Sequence, residues 1–433
     1  MGDVAAAVAE GLSAIQSLGA SACECLVTER EILTIDWGAQ GPTKPRTRHD
    51  RAVRVGAWTS NTKVGWAEGS GSVLDLGREA LANASLQAPP PVVMRWAAPT
   101  GLSIEDRRHG TLELSDREDL LRAVYTSVKA VDEGLHVDRL EWSEERVQRV
   151  FGSSHMPPQQ ERGTVYRVFI QVSGHRDGER VTFSAAQTSR RFAALISMPI
   201  GTRVAMRVQN ALGTAAQVNV GPIRVMLGSA ATARLLSRIG EGYANGALPG
   251  GLLGSDGMGL ALDRRLHLID DGKMPGGLRT RAFDDRGVCP QAVMLWRDGK
   301  VGTRLSPYLG STPDQPQPTG HASGEGLRVS NLVLRAGARS LNAIAIARGG
   351  PSLYIDDIPN MADALNLETG RFDGTVHGRL MEGNQVVGSF RGVRLQGSLS
   401  EVLCSVVDVS SDTDRIGAVD APGLVLDGFR VSD

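Results

Sequence analysis

Glycines and short polar turns divide the C-terminal third of this chain at the spacing of β-hairpins. Within residues 369–399, the turn Glu382-Gly383-Asn384 separates two segments in which glycine recurs beside apolar residues, as at Gly392-Val393. Another turn of this kind, Asp298-Gly299, lies upstream. Glycine supplies the positive φ that tight hairpin turns need, and successive hairpins build an antiparallel sheet. The second half is therefore predicted to be a large, strongly bent, mostly antiparallel β-sheet.

The first half mixes helices with longer strands. Apolar residues recur at helical spacing from Val4 to Leu18, and a further helix is expected after Ser115, which forms a capping-box pattern with Glu118. Alternating residues around the Asp177-Gly178 turn then indicate a long hairpin.

The second half contains one well-marked helix and two long loops. A short apolar strand at 223–227 leads into a helix over 229–243. Residues 245–259 are rich in glycine and lack periodicity, which predicts a loop. Residues 311–326 are rich in Pro, Gly, Ser and Thr and are long for a passive connection, so we expect a functional or a mobile loop there.

These patterns predict an α+β protein with two domains. At 433 residues, with 41% hydrophobic residues, the chain is long enough for two cores. We place an N-terminal α+β domain at residues 1–210 and a β-rich C-terminal domain with few helices at 211–433.

Composition excludes several classes of protein. The net charge of −1 gives no electrostatic reason to expect a nucleic-acid partner. The sequence contains no run of about 18 apolar residues, so no membrane span is predicted. The near absence of lysine, with five among 47 basic residues, is interpreted as coding bias rather than as a sign of arginine-based recognition.

The cysteines and the N-terminus favour a reducing, cytoplasmic compartment. Cys23, Cys25, Cys289 and Cys404 have neither metal-site nor redox-motif spacing, and the N-terminal segment lacks the basic stretch of a secretory signal. Cys404, inside the apolar segment 402–407, is interpreted as a buried small hydrophobe.

Candidate chemistry is sparse. None of the eight histidines is spaced to share a zinc ion from one helix, so single, hydrogen-bonded histidines are favoured. The acid pairs Asp270-Asp271, Asp284-Asp285 and Asp356-Asp357 adjoin turns, where aspartate forms local hydrogen bonds. Adjacent residues of a strand point to opposite faces, which also argues against paired catalysis. No serine occupies a G-x-S-x-G elbow, and Ser153-Ser154-His155 is not a triad.

One segment carries a resemblance to a known family. Phe283-Asp284-Asp285-Arg286-Gly287-Val288 resembles the F-D-D-E-G-V signature of the TldD/TldE (PmbA) family of zinc metallopeptidases, with Arg286 in place of the acid. The glycine pattern after Thr369, and Asn331-Leu332 with Arg335-Ala336-Gly337, are similar to the same family. The resemblance implies a cleft-lining role, rather than a catalytic one, for Phe283, Asp284, Asp285, Arg286 and Gly287.

The resemblance is to the metal-free TldE branch. The catalytic branch carries H-E-x-x-x-H on a helix and a cysteine ligand close to its C-terminus. Here the corresponding helix, SAATARLLSRIGEGY, has no histidine, and residues 412–421 have no cysteine. With Cys289 in place of the following proline, the chain resembles a divergent member of the family, and the resemblance leaves housekeeping and specialised biosynthetic roles both open.

Two functions follow from this resemblance. The first is an accessory subunit that holds no cofactor itself and pairs with a TldD-type H-E-x-x-x-H homologue, whose zinc would cleave peptides or small amide-bearing substrates. The second is a self-associating, peptide-binding or scaffold homodimer without hydrolytic activity. Neither function requires a nucleic acid or a membrane.

Overall fold

The computed structural model describes residues 4–38, 40–87, 102–248, 262–306, 318–324 and 326–432, with the backbone alone at Asp357. The predicted fold class is confirmed: the protein is α+β, with two large sheets. Much of the predicted loop 311–326, and most of the glycine-rich stretch 245–259, lie outside the described residues.

The N-terminal half forms an antiparallel sheet with strand order β5-β4-β3-β1-β6-β7-β8, and β2 pairs with β1. Its strands are β1 (Ala22–Gly38), β2 (Gly41–Pro42), β3 (Arg46–Trp58), β4 (Lys63–Gly69), β5 (Leu86–Gln87), β6 (His136–Ser153), β7 (Met156–Arg176) and β8 (Glu179–Ser189). Its helices are α1 (Val4–Ser17), α2 (Val73–Ala82), α3 (Leu114–Val131), α4 (Phe192–Ile196) and α5 (Ile200–Ala211), with a 3-10 turn at His109–Thr111.

The helices of this half cover one face of the sheet. Alternate residues of β1, such as Cys25 and Val27, pack with α1 and α2, and Ile35 packs further along the same face beside α3. Because successive side chains of a strand point to opposite faces, the intervening residues of β1 lie on the uncovered face.

The capping residues of α3 differ from those predicted. The helix begins at Leu114, and the reciprocal box joins Glu113 to Asp116, whose carboxylate accepts the Glu113 amide at 2.8 Å. The predicted Ser115–Glu118 box is therefore wrong. Two capping patterns overlap here, Glu113 with Asp116 and Ser115 with Glu118. The one nearer the N-terminus satisfies the first amides of the helix.

The C-terminal half contains a large curled sheet and a two-stranded ribbon. The strands are β9 (Gly221–Leu227), β10 (Leu268–Asp271), β11 (Ala292–Arg297), β12 (Lys300–Val301), β13 (Ala322–Ser323), β14 (Gly326–Leu327), β15 (Leu332–Leu334), β16 (Pro351–Asp357), β17 (Arg371–Glu382), β18 (Gln385–Ser398), β19 (Val406–Ile416) and β20 (Val419–Ser432). The helices are α6 (Ser229–Asn245), α7 (Leu341–Arg348), α8 (Met361–Ala364) and α9 (Leu399–Cys404).

The large sheet closes on itself. Its order is β12-β11-β10-β15-β20-β18-β17-β16-β9, and β20 also pairs with β9, so five of these strands form a ring. Most pairs are antiparallel; β15–β20 and β9–β16 are parallel. Apolar residues of α6, including Leu236 and Ile239, complete the core of this half.

Two smaller expectations have different outcomes. Helix α5 (Ile200–Ala211) packs on the N-terminal sheet and β9 opens the C-terminal one, so the predicted boundary at residue 210 lies in the last turn of α5 and stays a prediction. Cys404 is exposed, because it ends α9 on the side away from the core, and its predicted burial is wrong. None of the described helices is long and apolar enough to cross a membrane.

Candidate functional site

The uncovered face of the N-terminal sheet forms the floor of a cleft of about 580 Å³. Strand register places its side chains in rows across the strands: Arg54 lies opposite Leu26, and Arg30 opposite Val147. Buried Val53 and Val55 flank Arg54 on the helix-covered face, so Arg54 points into the cleft.

The opposite side of the cleft comes from the C-terminal half. Residues 278–281, Asp285 and residues 323–328 contribute to it. Asp284 organises this segment: its buried carboxylate accepts the backbone amides of Arg286, Val288 and Ala322, each at 2.9 Å. Burial nevertheless raises the pKa of Asp284. Its role is to hold the turn that presents Asp285.

An ion-pair network joins the two halves across the cleft. Arg149 of β6 pairs with its cross-strand neighbour Glu161 at 2.5 Å and with Asp285 at 2.6 Å. Asp285 also accepts from Arg281 at 3.3 Å and from the Gly324 amide at 2.9 Å. Because Arg149 is only 12% exposed, this network is a structural connection between the sheet and the C-terminal segment.

Arg286, the residue that departs from the family signature, has a specific partner. Its Nε lies 2.6 Å from Oε1 of Glu24, which is buried in β1. Burial raises the pKa of Glu24 to about 7, and the charges of Arg286 and Arg54 act in the opposite direction. Both guanidinium groups also contact the ring of Trp66. The substitution thus provides a second connection between the two halves.

The five residues expected to line the cleft occupy different positions. Asp285 lines it. Phe283 and Asp284 are buried beneath it, at 0% and 1% exposure. Arg286 faces Glu24, and Gly287, at φ +79°, leaves room for the ring of Phe151, which a Cβ would approach to 2.3 Å. The signature therefore shapes one edge of the cleft, mostly from behind it.

The arginines of the cleft were not predicted from the sequence. Nine of its lining residues are arginines, contributed by both halves of the chain. Arg190 is buried at 7% exposure and donates to the carbonyls of Gly277, Leu278, Thr280 and Thr164, which anchors the facing segment. The alternation of Arg54 with the apolar residues Val53 and Val55 could have indicated that Arg54 lies on the other face of the sheet. Because arginine is abundant throughout the chain, this arginine did not stand out.

The lining is rich in groups that recognise anions. Its described residues include hydroxyl groups of Thr28, Thr280 and Ser323, but no histidine or cysteine. Guanidinium groups recognise carboxylates and phosphates and stay protonated near neutral pH, which makes them poor general bases.

Helix α6 occupies the position where the resemblance places a zinc-binding helix. The groove along it, about 230 Å³, is lined by Arg234, Arg238 and Glu241, and Arg238 pairs with Glu241 at 2.6 Å. Two guanidinium groups repel a dication, and α6 carries neither an imidazole nor a thiol. These residues do not fit a zinc ion.

Residues 412–421, where the resemblance places a cysteine ligand, have acidic side chains that already bind other groups of the protein. Asp412 accepts the Leu341 amide at 2.7 Å, Asp414 pairs with Arg203 at 2.6 Å, and Asp420 pairs with Arg415 at 3.3 Å. Across the part of the chain that the structure describes, no three His, Cys, Asp or Glu residues are grouped so that they could hold a metal ion.

Comparison with solved structures shows a shared fold over nearly the whole chain. A Thermotoga maritima protein described as a proposed modulator of a DNA gyrase is 16% identical, with a TM-score of 0.83 over 98% of this chain and 99% of that one. A Bacteroides thetaiotaomicron protein with a similar description is 16% identical, with a TM-score of 0.83 over 100% and 99%. TldE from Thermococcus kodakarensis is 16% identical, with a TM-score of 0.78 over 99% and 100%.

Sequence comparison finds a match to a known domain family in the C-terminal half of the chain. Residues 221–433 match the PmbA/TldA metallopeptidase C-terminal domain. No curated protein matches the chain in sequence.

Proposed function

Because residues 221–433 place this chain in the TldD/TldE (PmbA) metallopeptidase family, we propose that it is the accessory subunit of a two-protein zinc metallopeptidase or amidohydrolase. A TldD-type partner carrying H-E-x-x-x-H supplies the zinc ion and activates water. This chain supplies part of the cavity that holds a peptide or small amide-bearing substrate. We place the complex in the cytoplasm.

The observation that carries this proposal is the chemistry of α6. Its exposed groove presents Arg234 and Arg238, and its inner face presents packed apolar residues such as Leu236. A helix with this composition supports packing and recognition but offers zinc neither an imidazole nor a thiolate, and its one carboxylate, Glu241, is paired with Arg238. Hydrolysis by a zinc mechanism then requires a second protein.

The cleft is the part of this chain best suited to substrate. Its lining comes from both halves, and the Arg149 network and the Glu24–Arg286 pair hold those halves in a defined relation. A preorganised cleft lowers the entropic cost of holding an extended ligand.

Co-expression with a TldD-type homologue from the same genome tests the proposal. We expect the two proteins to co-elute in size-exclusion chromatography and to hydrolyse peptides only together, with activity lost on chelation. Asp285→Asn should raise KM or change peptide preference while the zinc content of the complex is unchanged. Asp177→Asn is a matched control, because Asp177 is 93% exposed in the β7–β8 turn.

Three results would contradict the proposal. These are chelator-resistant hydrolysis by this chain alone, full activity of the partner without it, and a homodimer that binds peptide but forms no complex with the homologue. The last result would favour the scaffold function.

A further inference from the structure

The cleft concentrates positive charge that the chain as a whole does not carry. Its lining includes nine arginines and five carboxylates, a formal excess of four positive charges. The whole chain has a net charge of −1. Positive charge in a concave, partly dehydrated site attracts anions more strongly than the same charge on an open surface.

Several of these arginines are already paired. Arg30 lies 3.2 Å from Glu145, and Arg149 lies between Glu161 and Asp285. Their charges are compensated within the fold, so their presence needs no ligand.

Other guanidinium groups in the cleft are not compensated in this way. Among the residues that the structure describes, no carboxylate lies within ion-pair distance of Arg328 or Arg162, and both side chains are exposed. The side chain of Arg279, also exposed, donates to the carbonyl of Val329 at 3.2 Å. Nη1 of Arg54 is buried without a hydrogen-bond partner among those residues.

Guanidinium groups crowd one another on the C-terminal side of the cleft, where Arg279 and Arg328 lie beside Arg281, which pairs with Asp285. Arg328 exposes part of its surface at the cleft opening, but loss of hydration on its cleft side and the charges of Arg281 and Arg279 lower its pKa to about 10. Burial and the charge of Arg149 likewise lower the pKa of Arg281. An anion placed among these groups would relieve the repulsion and supply the missing acceptors.

The floor has the dimensions of a short extended peptide. It spans β3, β1, β6 and β7, which is about 14 Å at a strand spacing of about 4.8 Å. An extended chain rises about 3.4 Å per residue, so about four residues cross it. Guanidinium groups form bidentate hydrogen bonds with carboxylates, which Asp and Glu side chains would present along such a segment.

We propose that this cleft binds acidic peptide segments, with Arg328, Arg279 and Arg162 pairing with the carboxylates of Asp or Glu side chains. The peptide nature of the ligand rests on the proposed function above. The recognition of carboxylates rests on the cleft alone.

Binding by the isolated full-length chain tests the proposal without a partner or hydrolysis. The probes are a fluorescein-labelled peptide with four consecutive glutamates and the same peptide with glutamines, followed by anisotropy. We expect only the glutamate peptide to bind, and we expect its affinity to fall as the salt concentration rises. Arg279→Gln with Arg328→Gln should weaken binding about tenfold or more, since a hydrogen bond to a charged group contributes about 1.5–3 kcal/mol.

Two controls separate recognition from folding. Arg167→Gln is the matched variant, because Arg167 is exposed on β7 but does not line the cleft; its affinity should equal the wild type. Arg328→Gln alone should leave the melting temperature unchanged or raise it, because it removes a crowded charge. A merely structural arginine would show the opposite effect.

Equal affinity for the two peptides, or wild-type affinity in the double variant, would overturn the proposal. So would displacement of the glutamate peptide by inorganic phosphate at the peptide's own dissociation constant, which would identify a phosphate site. If the glutamate peptide binds but the mixture with a TldD-type protein does not hydrolyse peptides, the proposed function fails and this inference stands.

Discussion

Glu24 is the group through which pH should most affect the stability of this fold. Its carboxylate is buried in β1 at 2% exposure, beside Arg286 of the C-terminal half. Burial raises its pKa from 4.5 to about 7. We therefore expect Glu24→Gln to remove a pH-dependent part of the unfolding free energy.

The sign and size of this effect follow from proton linkage. Since the pKa is higher in the folded protein, the stabilising contribution is fully present below pH 4.5 and is lost as pH rises through about 7. One pKa unit corresponds to about 1.4 kcal/mol, so the full change is about 3 kcal/mol, of which about 2.5 kcal/mol falls between pH 5 and pH 8.

Urea unfolding of the wild type and Glu24→Gln at pH 5, 6, 7 and 8, followed by tryptophan fluorescence, measures this. The advantage of the wild type over the variant should shrink by about 2.5 kcal/mol from pH 5 to pH 8. Loss of the Arg286 partner adds a constant offset, because arginine does not titrate in this range. Glu68→Gln is the matched control, since Glu68 is exposed on the nearby strand β4.

An infrared titration gives an independent measurement on the folded protein. The wild type should show a carboxylic acid band that disappears near pH 7 and is missing in Glu24→Gln. A stability difference that stays constant between pH 5 and pH 8, with no such band, would refute the reasoning. It would mean that the charge of Arg286, and not burial, governs the ionisation of Glu24.

Other substitutions test the connection between the halves. Arg149→Gln leaves Glu161 and Asp285 without their shared partner, and the expected loss is about 3–5 kcal/mol in denaturant unfolding. Arg371→Gln, at an exposed pair with Asp373, should cost less than about 1 kcal/mol, and equal losses would contradict the structural role of Arg149. Gly287→Ala should lower the melting temperature well below that of Gly383→Ala, because both have positive φ but only the former meets Phe151, and matching values would refute that contact.

Local signals in the sequence were sufficient for much of the secondary structure. Strand β9 and helix α6 lie where the apolar patterns placed them, and the Asp177-Gly178 and Asp298-Gly299 turns close hairpins. These features depend on residues close together in the chain, because they follow from the spacing of apolar residues, the residue types in turns and the positive φ that glycine allows. The α+β class, the bent antiparallel sheet and the family resemblance could be predicted for the same reason.

The contents of the cleft could not be predicted in this way. Arg54, Arg149 and Arg328 belong to three distant segments, and only the strand register and the docking of residues 278–285 bring them together. The partner of Arg286 is likewise Glu24, at the other end of the chain. The net charge of −1 sums all charges and contains no information on where they lie, so it did not indicate a locally positive site.

The sequence by itself determined many of the helices, strands and turns, and that α6 carries neither histidine nor cysteine, since both depend on residue identity and local spacing. The tertiary structure alone decided which arginines share a cavity, which are compensated, and that Glu24 is buried beside Arg286. The physical reason is that burial and Coulomb interactions depend on distance in space, which strand pairing sets across hundreds of residues of chain.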